Sequence, residues 1–185
     1  QGEILKTVGR GNCAVTDGVF RSVDAYSCFG NPEWKNYTMS FKARAPKDAE
    51  QVQIWAGFRA YNRFDRYVLG LKGGLQDDIY LMRLGYMGTD EFLGVRPLGF
   101  HPVPGEWYNI KVEVCGSRIR VFLNNEKEPR IDVTDKNGNL APSGQVTLGG
   151  GWIETEFDDL VVTPMKEDTL TDVKVVEYHK IITPQ

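Results

Sequence analysis

Apolar and polar residues alternate at every second position through most of this chain, and no stretch carries the three-to-four spacing of an amphipathic helix. A chain patterned this way buries one face of each strand and has no helices with which to build an α/β layer. In 38–44, Met39, Phe41 and Ala43 share a face. In 53–60, Ile54, Ala56 and Phe58 share one face, with Trp55 and Arg59 on the other. Strands are also predicted at 66–72 and 78–84 around Gly73-Gly74, and at 107–115 and 118–123 around Gly116-Ser117. Others fall at 3–8, at 12–27 with a turn at Asp17-Gly18, and at 129–133, 144–149 and 152–163. The class implied is all-β, an antiparallel sandwich or jelly roll.

At 185 residues the expected organisation is one domain over 1–164. Residues 165–185 then form an extra strand, a linker or the start of another domain. The chain begins at Gln1, so it is expected to be a piece of a longer protein. A hydrophobic content of 41% excludes disorder, and no apolar run reaches the roughly 20 residues of a membrane-spanning helix. The formal charge of −3, from 22 basic and 25 acidic residues, argues against nucleic acid as a partner. Three cysteines, Cys13, Cys28 and Cys115, cannot all pair within the chain. Cys13 and Cys28 pair if they lie on neighbouring strands; otherwise all three are thiols packed as small apolar groups. No Cys-x-x-Cys occurs and His101 and His179 lie far apart, which excludes the usual zinc spacings.

Three stretches concentrate chemistry. Residues 55–67 hold Trp55, Arg59, Tyr61 and Arg66; residues 149–158 hold Trp152 and Glu154; residues 76–86 hold Asp78, Tyr80 and Arg83. Flat aromatic rings beside charged hydrogen-bonding groups suit sugars, whose C–H faces stack and whose hydroxyls donate and accept. The plainer alternative is that the tryptophans cover sheet and the charges form a solvated face. For catalysis, the laminarinase-like sandwich glycosidases carry Glu-x-Asp-x-x-Glu on one strand. Here Glu154-Thr-Glu156-Phe-Asp158-Asp159 matches only its first position. No nucleophile elbow or phosphate loop is present. Asp158 and Asp159 are the expected oxygen ligands of a structural calcium ion, and Asp135-Lys-Asn137-Gly138-Asn139 reads as a turn. Asn36-Tyr37-Thr38 fits a glycosylation acceptor.

Several segments resemble a known family. They are Gly57-Phe58-Arg59, Arg66-Tyr67-Val68-Leu69-Gly70-Leu71, Gly105-Glu106-Trp107-Tyr108-Asn109-Ile110, Arg118-Ile119-Arg120-Val121-Phe122-Leu123 and Phe157-Asp158-Asp159-Leu160. Their order resembles the concanavalin A-like jelly rolls that accompany bacterial carbohydrate-active enzymes. It is similar to the fructan-binding modules of levanases and to the 3-keto-disaccharide hydrolase-like domains. The likeness covers roughly 10–164 and leaves 85–104 as an insert outside the pattern. It implies a two-sheet jelly roll with a sugar on the concave sheet or its rim. By that likeness Arg59, Trp152 and Glu154 engage the sugar; Asp78 and Arg83 are added on local chemistry.

Three readings follow. The first is a non-catalytic module that binds an oligo- or polysaccharide beside the other domains of a parent glycoside hydrolase, outside the cytoplasm, with no required cofactor. The second is a small sandwich glycoside hydrolase using Glu154 and Asp78. The third is a structural sandwich without a ligand, its tryptophans covered by a partner domain.

Overall fold

The computed structural model describes residues 7–62 and 64–165 and the backbone of 176–177. The strands are β1 (Thr7–Thr16), β2 (Val19–Phe29), β3 (Tyr37–Arg44), β4 (Gln53–Ala60), β5 (Arg66–Lys72), β6 (Asp78–Leu84) and β7 (Glu91–Pro97). They continue as β8 (Tyr108–Cys115), β9 (Arg118–Leu123), β10 (Ile131–Thr134), β11 (Gln145–Gly149), β12 (Thr155–Pro164) and β13 (Val176–Glu177). Two short 3₁₀ turns, Tyr86–Gly88 and Gly138–Leu140, are the only helical elements among the described residues.

Hydrogen bonding links the strands in the order β10-β9-β8-β3-β12-β2-β11-β4-β5-β6-β7, with β1 on β2 and β13 on β12. Every pairing is antiparallel. Strand β2 carries this path from one layer to the other. Its Phe20–Ser22 end pairs with β12, and its Tyr26–Phe29 end pairs with β11. Between them Asp24 takes a left-handed φ of 49°, where the strand bends. The two ends of the path come together as well: a Cβ on Gly94 in β7 would stand 3.0 Å from Ile131 in β10.

Between the layers lies one core. Phe157 packs against Phe20 and Phe41, with ring centres 6.0 and 5.9 Å away, and Phe58 stacks on Tyr67 at 5.1 Å. Each such ring contributes about 1.5–3 kcal/mol through burial. An ion pair is buried in this interior. Arg83 donates to both oxygens of Asp135 at 2.8 and 2.7 Å, and the Tyr67 hydroxyl donates to the same carboxylate at 2.7 Å.

The alternation locates most strands within two or three residues, and the Asp17-Gly18 turn has both residues at positive φ, as a tight hairpin requires. Three readings change. The 85–104 insert contributes β7, an edge strand that extends the sheet beside β6. Strand β12 starts at Thr155, so Trp152 and Glu154 lie in the bend before it. No disulfide joins Cys13 and Cys28: Cys13 packs toward the core and Cys28 lines an outer cleft, so the sheet separates the two side chains. Of 165–185, Met165 is described, as is the backbone of the β13 pair; the remainder of that expected extension lies outside the described residues.

Candidate functional site

The outward face of the second layer is built by alternation from β4. Ile54, Ala56 and Phe58 point inward, so Trp55 and Gly57 point outward. Gly70 of β5 lies opposite Trp55, and Tyr80 of β6 lies opposite Gly70. Without a side chain at Gly70, the Tyr80 ring lies down over the sheet; a Cβ there would stand 2.1 Å from that ring. The Trp55 indole N–H donates to the Tyr80 hydroxyl, with the two rings edge to face and 6.5 Å apart. Burial pushes the Tyr80 phenol up, which keeps it a neutral hydroxyl.

Arg66 crosses the same face. Its guanidinium carbon sits 4.0 Å from the centre of the Tyr26 ring, and its stem passes over Gly57. Only 8% of the residue is exposed. Its Nε is buried without a hydrogen-bond partner, and no carboxylate among the described residues pairs with it. Burial pulls its pKa down, with the Tyr26 phenol and Cys28 thiol opposing, yet a guanidinium stays charged at any physiological pH. Among the described residues this face thus holds a cation without a carboxylate counter-ion, an arrangement that costs free energy.

Beside Tyr26 opens a cleft of about 480 Å³, lined by Thr7, Val8, Tyr26, Cys28, Tyr61, Asn62 and Gln145 among others. No aspartate or glutamate lines it among the described residues. Asn62 holds the rim by accepting the backbone N–H groups of Phe64 and Asp65 at 2.8 and 2.9 Å.

Of the residues singled out from sequence, Trp55 and Arg66 come together here beside Gly150, and Tyr61 lines the adjoining cleft. Arg59 does not. Strand β4 has a bulge at this point, three steps from Gly57 to Ala60 against two from Thr147 to Gln145, and Arg59 takes a φ of 44°. Its guanidinium is buried and donates to the carbonyls of Lys35 and Gly116, each at 2.7 Å, and to Asn36 Oδ1 at 2.9 Å. It clamps two loops. Asn36 Oδ1 also accepts the Gly116 backbone N–H, at 2.7 Å. Arg83 is spent on Asp135 and on Glu91, 2.8 Å away. Asp78 begins β6 between Lys72 and Pro97, away from the cleft.

Trp152 is 75% exposed, and its backbone N–H donates to Gln53 Oε1 at 2.7 Å, which sets it beside the Trp55 end of the face. Glu154 turns to the other layer, where its carboxylate lies 4.0 Å from Arg21; Arg21 and Arg44 both bind the buried Glu156. Asp158 and Asp159 sit at a bulge in β12 and face Lys42 at 4.0 and 3.3 Å. Among the described residues no cluster of three or more His, Cys, Asp or Glu is placed to hold a metal ion, so the calcium expectation at Asp158 and Asp159 finds no cage there. Sequence reasoning missed Tyr26, which lies in β2 beside β11 and carries no local motif.

No family model matches the sequence, and no curated protein matches it. Solved structures do match in shape. The carbohydrate-binding module CBM66 from Bacillus subtilis superposes with a TM-score of 0.70 at 16% identity, over 85% of this chain and 94% of the module. The fold is an antiparallel β-sandwich jelly roll, like that of the module. A galectin-like protein of unknown function from Bacillus subtilis follows this jelly roll with a TM-score of 0.60 at 12% identity, over 86% of this chain and 89% of its own. The exoplasmic/lumenal domain of VIP36, bound to Ca²⁺ and mannose, also gives 0.60, at 13% identity over 94% of this chain and 88% of its own.

Proposed function

We propose that this jelly roll binds carbohydrate on the outward face of its second layer, with Trp55, Tyr80 and Tyr26 as the aromatic floor and Arg66 as the polar anchor. The observation that carries the reading is the Trp55–Tyr80–Arg66–Tyr26 group lying flat over Gly57 and Gly70 beside a 480 Å³ cleft. Rings fixed in place offer sugar C–H faces a surface at little entropic cost, and a ring contact of this kind contributes about 0.5–1.5 kcal/mol. Shape neighbours that are carbohydrate-binding modules and lectins support the same reading.

The finer reading is an accessory module that holds polysaccharide for a parent glycoside hydrolase outside the cytoplasm. The absence of a carboxylate from the described cleft lining favours this over the hydrolase reading, which needs two of them in one pocket. A glycan array with the full chain tests it, followed by a reducing-end release assay on each hit. Binding without turnover is the expected result, with at least a tenfold loss in Trp55→Ala. Silence across the array, or binding unchanged in Trp55→Ala, overturns it.

A further inference from the structure

The charge on Arg66 has a consequence for which sugar the site takes, and it rests on the carbohydrate reading above. We infer that the site is built for a sugar bearing a carboxylate, a hexuronate- or sialate-type residue, whose acid group closes on the Arg66 guanidinium. Three observations carry this. Arg66 is nine-tenths buried, and its side chain makes no hydrogen bond or ion pair among the described residues. The groups that share its surroundings are the Tyr26 phenol and the Cys28 thiol, neither of them a carboxylate. The neighbouring cleft is lined by hydroxyl, amide, thiol and apolar groups and carries no acid among its described residues.

The other arginines of this fold show how the chain treats a buried guanidinium when it is structural. Arg83 lies against Asp135 and Glu91, and Arg59 donates to two carbonyls and an amide oxygen. Arg66 departs from that rule only on the outward face, where a ligand can complete it. Of its three nitrogens Nε alone is fully buried and unpartnered, which leaves Nη1 and Nη2 as the edge that meets solvent. A planar carboxylate matches two parallel N–H groups of that edge, and in a partly desolvated site such a charge-assisted pair is about twice as strong as a neutral one. A hydroxyl fills the same place but leaves the charge uncompensated. The Tyr26 ring beneath holds the guanidinium plane in position, so the acid meets a pre-oriented fork.

The test compares the full chain on immobilised oligosaccharides that carry hexuronate, sialate or sulfate, each beside its neutral counterpart made by carboxyl reduction or desulfation. Arg66→Met and Arg66→Lys are run in parallel, with circular dichroism melts to show that both fold. The expected result is at least tenfold tighter binding of a carboxylated glycan than of its reduced counterpart, weakening as salt rises. Arg66→Met should erase that ratio and Arg66→Lys should keep part of it. Equal binding of acidic and neutral partners overturns the acid class while leaving sugar binding in place. Preference for sulfate over carboxylate overturns the choice of acid. Absence of binding to every glycan overturns the carbohydrate reading itself.

Discussion

Asp135 and Arg83 meet inside the protein, with 2% of each residue exposed, and the Tyr67 hydroxyl closes the third side of the carboxylate. The pair joins the loop after β10 to β6, so it ties the two layers across the core. Burial pushes the Asp135 carboxyl up; the Tyr67 hydroxyl, the Asn137 amide and Arg83 together outweigh that and hold it below the ordinary range. A carboxylate lower in the folded than in the unfolded state stabilises fully above its unfolded value near ~3.9. That contribution is lost as pH falls through about 4 toward the folded value. Denaturant melts between pH 7 and pH 3 should show the loss, and Asp135→Ala should cost about 3–5 kcal/mol at pH 7 by stranding Arg83. Asp135→Ala that melts like the parent at pH 7 contradicts the assignment.

Arg59 should matter for folding and not for ligand. Arg59→Ala strands the carbonyls of Lys35 and Gly116 and should cost about 2–4 kcal/mol, since hydrogen bonds to a charged group are worth roughly 1.5–3 kcal/mol each. Its melting temperature falls while glycan affinity, measured at a temperature where it is folded, stays within about twofold. An affinity loss larger than the stability loss would return Arg59 to the binding site.

Arg66 is expected to show the opposite balance. Replacing a buried, unpaired cation by an apolar side chain of similar length removes a desolvation cost. Arg66→Met should therefore melt no lower than the parent, and up to about 2 kcal/mol more stable, while it loses ligand. Destabilisation with binding retained would mean that Arg66 serves the fold.

Gly70 is the hinge of the aromatic floor. A Cβ at that position runs into the Tyr80 ring, so Gly70→Ala lifts Tyr80 and breaks its bond with Trp55. The overpacking cost is about 1–3 kcal/mol. Crystals of the variant should show Tyr80 displaced, and titration should show weakened binding; an unmoved ring with full affinity contradicts the role.

Trp152 stands on the Trp55 end of the face and is nearly free of the core. Trp152→Ala should change stability by less than about 0.5 kcal/mol. If the ligand runs along β4, affinity for long oligosaccharides falls while that for the shortest binder stays. Calorimetry over a length series decides it.

How far the sequence reached is clearest at β4. The alternation of Ile54, Ala56 and Phe58 correctly turned Trp55 outward, because a pleated strand repeats every two residues. The same count placed Arg59 beside Trp55, and there it failed. An extra residue in β4 opposite β11 changes the phase, and no residue in Gly57-Phe58-Arg59-Ala60 announces that bulge. The calcium reading gains no support here: Asp158 and Asp159 are adjacent in sequence, and the bulge in β12 sets them beside Lys42, with no third acidic, His or Cys ligand grouped with them among the described residues. Strand β7 was hidden because its outward side carries Phe92 and Val95, so its alternation is blurred.

By itself, then, the sequence determined the all-β class, the hairpin turns and the side of each regular strand, since these follow from local period and turn chemistry. Tertiary structure alone decided which arginine is free. Arg59, Arg66 and Arg83 look alike along the chain; what separates them is whether distant segments, the Lys35 and Gly116 carbonyls or the Asp135 carboxylate, arrive to satisfy the guanidinium. At Arg66 none does among the described residues, because its neighbours there are Tyr26, Gly57 and Gly150, and none of them carries a carboxylate.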